Sequence, residues 1–239
     1  MKQSIIDSAK KRAVATISAA KEVADKWTWP EMTPDQMQSQ LEGITGNSEA
    51  SPPVVGQEDL AKQADAAKKQ AESIWLGQLG SLHELTVQGL GMAKSRFRNN
   101  PSSLALVKNL HAAGRSPEQI LAEALDWETA WNKADPTWTP TNTNTLAAFK
   151  ALRKSCNEDL QQAFKDAASE ARDQDETLAQ MAQAVEGANV AWYAEATKAF
   201  GPATPEGIMI RKTIPTTYTA ASNKAKPSPA PATNAGKTA

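Results

Sequence analysis

The chain has 239 residues, with 26 Lys and Arg against 27 Asp and Glu, a formal net charge of −1, and one cysteine, Cys156. That balance excludes a global field steering nucleic acid or an anionic membrane, and the lone cysteine excludes an intramolecular disulfide and a cysteine-built zinc cage. Of the 40% apolar residues, 43 are alanine, against 16 Leu, 9 Ile, 8 Val and 4 Phe. So few large aliphatics would indicate disorder beside a large net charge; without one they indicate an alanine-rich helical protein. Trp supplies 7 of the 13 aromatic residues, so indole rings must provide much of the bulky core.

In chain order, Ile5, Ile6, Ala9, Ala13, Ile17, Ala20, Val23, Ala24 and Trp27 recur every three or four residues and lie on one side of a first helix, with Lys2, Lys11 and Lys26 opposite. Lys10, Lys11 and Arg12 interrupt any signal-peptide core. No apolar run approaches the roughly 20 residues that span a bilayer. The expectation is a soluble, cytoplasmic protein without a membrane partner. Trp27, Trp29 and Pro30 form a corner. Thr33-Pro34-Asp35-Gln36 then opens a helix with a capping box and an early proline.

Gly43 to Gly56, with Pro52-Pro53, reads as a loop. Leu60, Ala64, Ala67, Ala71 and Ile74 form the next stripe, which skips at Gln78 and resumes at Leu82, Leu85, Gly89 and Met92. Its small residues permit close approach of a partner helix. Asn99-Asn100 breaks the chain before a short helix at Pro101, and Ser116-Pro117-Glu118-Gln119 repeats the capping device. After a break at Asp135 to Asn144, Leu146, Phe149, Cys156, Leu160, Ala163, Ala167, Ala171, Leu178, Met181, Val185, Trp192 and Ala196 keep phase at 3.6 residues per turn. The all-polar stretch Arg172 to Glu176 is the place where a hairpin is expected to interrupt this run, with one continuous rod as the alternative. Thr204-Pro205-Glu206 starts a last helix.

Two Trp- and Thr-containing proline corners, Trp27-Thr28-Trp29-Pro30 and Trp138-Thr139-Pro140, are each followed by a long alanine-rich stretch, a terminal Phe (Phe97, Phe200) and a short proline-led helix (Pro101, Pro205). Offsets of 103 to 110 residues between these landmarks predict an all-α fold of two tandem related helical units, 1–113 and 116–218. A Pro/Ala/Lys tail, 219–239, is expected to be disordered.

No nucleophile elbow, Walker loop, His-Glu-x-x-His or Cys-x-x-Cys occurs, and no catalytic residue, cofactor or metal is expected. Gly89-Leu90-Gly91 before Lys94 is a fragment of a dinucleotide fingerprint without its third glycine or a preceding strand; it reads as small residues at a helix crossing. His83 and His111 have no acidic spacing pattern around them, and Cys156 lies on an apolar stripe as a small buried hydrophobe. The basic clusters Lys10-Lys11-Arg12 and Lys94, Arg96, Arg98 read as solvated helix faces, so nucleic acid is not an expected partner.

The candidate contact residues are tryptophans and one acid. Ile120, Ala124, Trp127 and Trp131 share a helix face, with Glu128 at its edge. A carboxylate among indoles suits a general acid beside a stacked sugar, or it pairs with a base such as Arg153 or Arg96. Trp27, Trp29 and Trp138 at the proline corners form either a stacking platform or lids over bundle ends. The preferred function is a non-catalytic structural or adaptor protein that contacts a protein partner or its own copy through helical faces. The alternative is a small-ligand or carbohydrate-binding bundle, with hydrolysis included, at Trp127, Glu128 and Trp131.

Overall fold

The computed structural model describes residues 2–141 and 144–213; the tail 219–239, read above as disordered, lies outside them. Among the described residues the fold is all-α, with eight helices and no strand. The helices are α1 (Lys2–Glu22), α2 (Pro34–Thr45), α3 (Gln57–Arg96), α4 (Pro101–Val107), α5 (Pro117–Ala134), α6 (Leu146–Asn157), α7 (Asp159–Phe200) and α8 (Pro205–Thr213). Their starts follow the sequence signals. Thr33 and Ser116 accept from the N3 backbone while Gln36 and Gln119 reach back, completing both capping boxes. Thr204 Oγ1 accepts the Gly207 N–H at 3.0 Å, and Asn100 caps α4 through the Ser103 N–H.

The hairpin expected at Arg172 to Glu176 does not form, because α7 runs unbroken through it. The polar residues there need no loop. Arg172 and Glu176 point to solvent as an i,i+4 pair, while Gln174 turns inward and accepts from the Gln57 amide through its backbone carbonyl at 3.2 Å. The break lies instead at Glu158, a single residue between α6 and α7 whose φ of −110° departs from helical geometry.

The chain separates into two compact units. One comprises the residues up to Val54 and those from Ala179 onward; the other is Val55–Leu178. These units divide the chain at other points than 113 and 116, and the first is discontinuous in sequence.

In the first unit, α1 buries Ile6, Ala9, Ala13, Ile17, Ala20 and Val23, the stripe expected from its periodicity, but Ile5 is left half exposed. The later part of α7 contributes Ala182, Val185, Trp192 and Ala196, and α2 contributes Met37, Leu41 and Ile44. Arg12 pairs with Glu186, and Trp27, just past the end of α1, packs on Phe200 at the end of α7, so α1 runs parallel to this part of α7. Gly201, at φ +61°, ends α7 in the left-handed conformation that glycine adopts without strain.

The second unit has its core where α3, α5 and α6 meet, around Leu79, Leu82, Trp127, Trp131, Phe149 and Cys156. Gln57 bonds Gln174 and Trp75 stacks on Phe164, so α3 and the start of α7 run antiparallel. The buried side of α3 shares Ala64, Leu82 and Gly89 with the stripe read above but is centred to one side of it. It passes through Ala61, Ala64, Trp75, Leu79, Leu82, Thr86, Leu90 and Ala93, roughly a quarter turn from Leu60, Ala67 and Ile74. Leu60 and Ile74 are 37% and 48% exposed.

Candidate functional site

The aromatic constellation is built by α5 and the turn after it. The 3.6-residue period sets Trp127 and Trp131 one turn apart, and their rings stack with centroids 5.2 Å apart. Asp135 then closes a turn: its Oδ1 accepts from the Thr137 hydroxyl at 2.7 Å and from the Thr137 and Trp138 amides at 3.1 Å. The Thr137 hydroxyl bond holds the Asp135 carboxyl below the usual carboxylate range, against a partial desolvation. This turn lays Trp138 edge-on across both indoles, at 6.4 Å from Trp127 and 5.9 Å from Trp131. The Trp131 Nε1–H donates to the Trp138 carbonyl at 3.0 Å, and Phe97 and Phe149 complete the cluster.

Nothing in this cluster faces solvent as a platform except the half-buried edge of Trp138. Trp127 and Trp131 are fully buried. Beneath Trp127 lies Gly89 of α3: a Cβ on that glycine would come 2.8 Å from the indole Nε1. The Gly89-Leu90-Gly91 fragment thus serves at Gly89 as the small residue of a helix crossing, whereas Gly91 faces open space.

Glu128 is engaged. Its Oε2 receives the Arg153 Nε–H at 2.6 Å, and the two side chains are 14% and 22% exposed. The pair lies on the flank of the cluster, between α5 and α6, and gives the carboxylate a fixed guanidinium partner. Charge-assisted bonds of this kind are worth more than neutral ones. Glu128→Gln is therefore expected to cost about 1–2 kcal/mol in chemical denaturation, the cost of a weakened partner for a half-buried guanidinium. Adding Arg153→Met should recover part of that loss.

The remaining candidates separate by unit. Trp27 and Trp29 belong to the first. Trp29 is buried, and Trp27 packs at 6.2 Å from Trp192 and edge-on to Phe200 at 6.1 Å, so both act there as packing residues at a helix end. Arg12, read above with a solvated basic face, is 6% exposed and pairs with Glu186 at 3.0 Å. Cys156 is fully buried, and desolvation pushes its thiol above the ordinary range, which suppresses the thiolate a nucleophile needs. His83 is half-buried on α3, and His111 is exposed beyond α4 at an open groove of about 240 Å³ beside Val87, Gly91 and Lys94, whose ammonium donates to the Leu110 carbonyl at 3.1 Å. Among the described residues no group of three or more His, Cys, Asp or Glu is placed to hold a metal ion, and no helix is long and apolar enough to cross a membrane.

No family model, curated protein or solved structure matches this chain.

One residue central to the aromatic core was not singled out by sequence. Trp75 is buried, stacks on Phe164 at 5.5 Å and donates its Nε1–H to the Cys156 carbonyl at 2.9 Å, tying α3 to the end of α6. The signal was present in the sequence. The stripe through Ala61, Ala64, Trp75, Leu79 and Leu82 is interrupted at Lys68 and Glu72, as the one through Leu60 and Ile74 is at Gln78, but it is the one that carries the indole.

Proposed function

We propose that the chain is a non-catalytic structural or adaptor protein that acts through helical contacts with a protein partner or with its own copy. The observation that carries this reading is the outer edge of α3. Leu60, Gln63, Ala67, Gln70, Ile74 and Gln78 follow one another along it without a charge, and Leu60 and Ile74 keep 37% and 48% of their surface exposed. Most charges of this part of the helix lie away from that edge, among them Asp65 and Lys69, which pair at 2.6 Å. Interface centres are depleted of charge, and small side chains let a second helix approach closely. The aromatic face offers no such opening, because its two central indoles are sealed and its carboxylate is paired.

Sedimentation velocity over a hundred-fold concentration range tests the self-association half of this reading, and affinity capture with the full chain tests the partner half. The reading expects a mass that rises with concentration or a stoichiometric partner. A monomer at every concentration that captures no stoichiometric partner overturns it.

A further inference from the structure

In the second unit, an open groove of about 240 Å³ lies between the C-terminal turns of α3 and the extended segment 110–112 that follows α4. Val87, Leu90, Leu110 and Ala112 line it with apolar surface, and Lys94 and His111 supply its polar lining. Lys94 uses one of its three N–H donors on the Leu110 carbonyl, at 3.1 Å, which holds the segment beside the helix and leaves two donors. The charge around the groove has one sign. From Leu85 to Pro117 the chain carries five Lys and Arg residues, among them Arg98, Lys108 and Arg115, and no Asp or Glu. The carboxylates that approach from elsewhere are occupied. Glu123 accepts from the Ala113 and Gly114 amides at 3.1 and 2.9 Å, and Asp135, which attracts Arg96, accepts from Thr137 and Trp138. Among the described residues Arg98, Lys108 and Arg115 form no ion pair. The dipole of α3 accounts only for cations in its last turn, and Lys108 and Arg115 lie outside that helix. The segment is also open along its backbone: His111 and Ala112 make no hydrogen bond among the described residues, and exposure alternates from Leu110 to Arg115 as in a strand. An extended peptide can pair with such a backbone. A nucleic acid has no comparable use for it, and the groove lining holds no aromatic ring other than His111 on which bases would stack.

We propose that this groove seats an extended acidic segment of a partner protein, with one apolar side chain between Val87 and Leu110 and carboxylates beside Lys94 and Arg98. The chain's own tail is not that segment, because Thr219 to Ala239 carries three lysines and no acid. The proposal rests on the reading of the chain as a contact protein and adds a second surface to it. The two fail separately, since Ile74 on the outer edge of α3 takes no part in the groove. Fluorescence anisotropy with the full chain tests it, using a labelled peptide of Glu and Asp with one central Leu, the same peptide with Ser in place of Leu, and a labelled oligouridine. The expected result is binding of the leucine peptide and a loss of about tenfold or more for the serine peptide, the scale of one buried aliphatic side chain. Gly91→Leu adds a side chain to the groove where a new Cβ meets nothing within 4 Å, and should reduce the leucine peptide to the serine level. R98E/H111E should weaken both peptides, whereas K62E/K68E, which removes at least as much positive charge elsewhere on α3, should bind as the parent does. No binding of the leucine peptide, equal affinity for the two peptides, or oligouridine bound as tightly as the leucine peptide overturns the proposal. An unchanged Gly91→Leu, or equal losses in the two charge variants, overturns it as well. Should Gly91→Leu fail to fold in a thermal melt, the difference between the two peptides on the parent and the two charge variants decide the outcome.

Discussion

Trp131→Ala should lower the unfolding free energy by about 3–5 kcal/mol, the range for removing a large aromatic from a packed core. The expectation rests on complete burial and on how many neighbours the ring holds. Trp131 stacks on Trp127, meets Trp138 and Phe149, and uses its N–H to fasten the Trp138 carbonyl. Truncation opens a cavity lined by rigid rings that cannot collapse into it, and it releases the turn that Asp135 closes. Urea denaturation followed by circular dichroism checks this. A loss below about 1 kcal/mol is what exposed substitutions produce, and would mean that the cluster is an open surface rather than a core.

The second large effect comes from Gly89, with a sign that depends on its neighbour. Glycine inside a helix is worse than alanine by about 1 kcal/mol, so Gly89→Ala would stabilise α3 if space allowed. Space does not allow it: three atoms of the Trp127 ring stand 2.8 to 2.9 Å from the new Cβ, and the indole is itself locked between α3 and Trp131. The expected cost is about 1–3 kcal/mol from overpacking. Gly91→Ala, two residues on, meets nothing within 4 Å and should stabilise by about 0.5–1 kcal/mol. In a Trp127→Leu background the Gly89→Ala penalty should shrink by more than 1 kcal/mol, a coupling of the size shown by residues in contact. Equal effects of Gly89→Ala in the two backgrounds would contradict the crossing described here.

Local order was legible because its causes are local. The capping boxes at Thr33 and Ser116, the proline-led start of α4, the buried face of α1 and the shared face of Ala124, Trp127 and Trp131 all follow from residue type and spacing. Of the two roles open to Glu128, pairing with Arg153 is the one found. The misreadings have local physical reasons too. Arg172 to Glu176 looked like a turn because nothing in it is apolar, but a two-helix segment needs only one inward residue per turn, and Gln174 supplies it by bonding Gln57. On α3 the many alanines let two stripes compete, and only tertiary contact with α5 and α6 decides that Trp75, Leu79 and Leu82 turn inward. The division into units is the least legible feature. It depends on contacts such as Arg12 with Glu186 and Asn189 with Ala9, between residues more than 170 positions apart, for which no periodicity gives a sign. Arg12 itself read as surface because its neighbours Lys10 and Lys11 are basic. Its place on the Ala9–Ala13 face becomes visible only when α7 brings a carboxylate to it.

If helical contacts through the outer edge of α3 are what this protein is for, then Ile74→Lys and Val14→Lys should differ. Both residues are exposed hydrophobics, at 48% and 59%, but Ile74 lies on the charge-free edge of α3 and Val14 lies on the outer face of α1. Sedimentation velocity of the two variants beside the parent, alone and with any partner captured by the parent, is the direct measurement. The account predicts that Ile74→Lys shifts the boundary to the monomer and loses the partner, while Val14→Lys sediments as the parent does. Equal behaviour of all three proteins would contradict it.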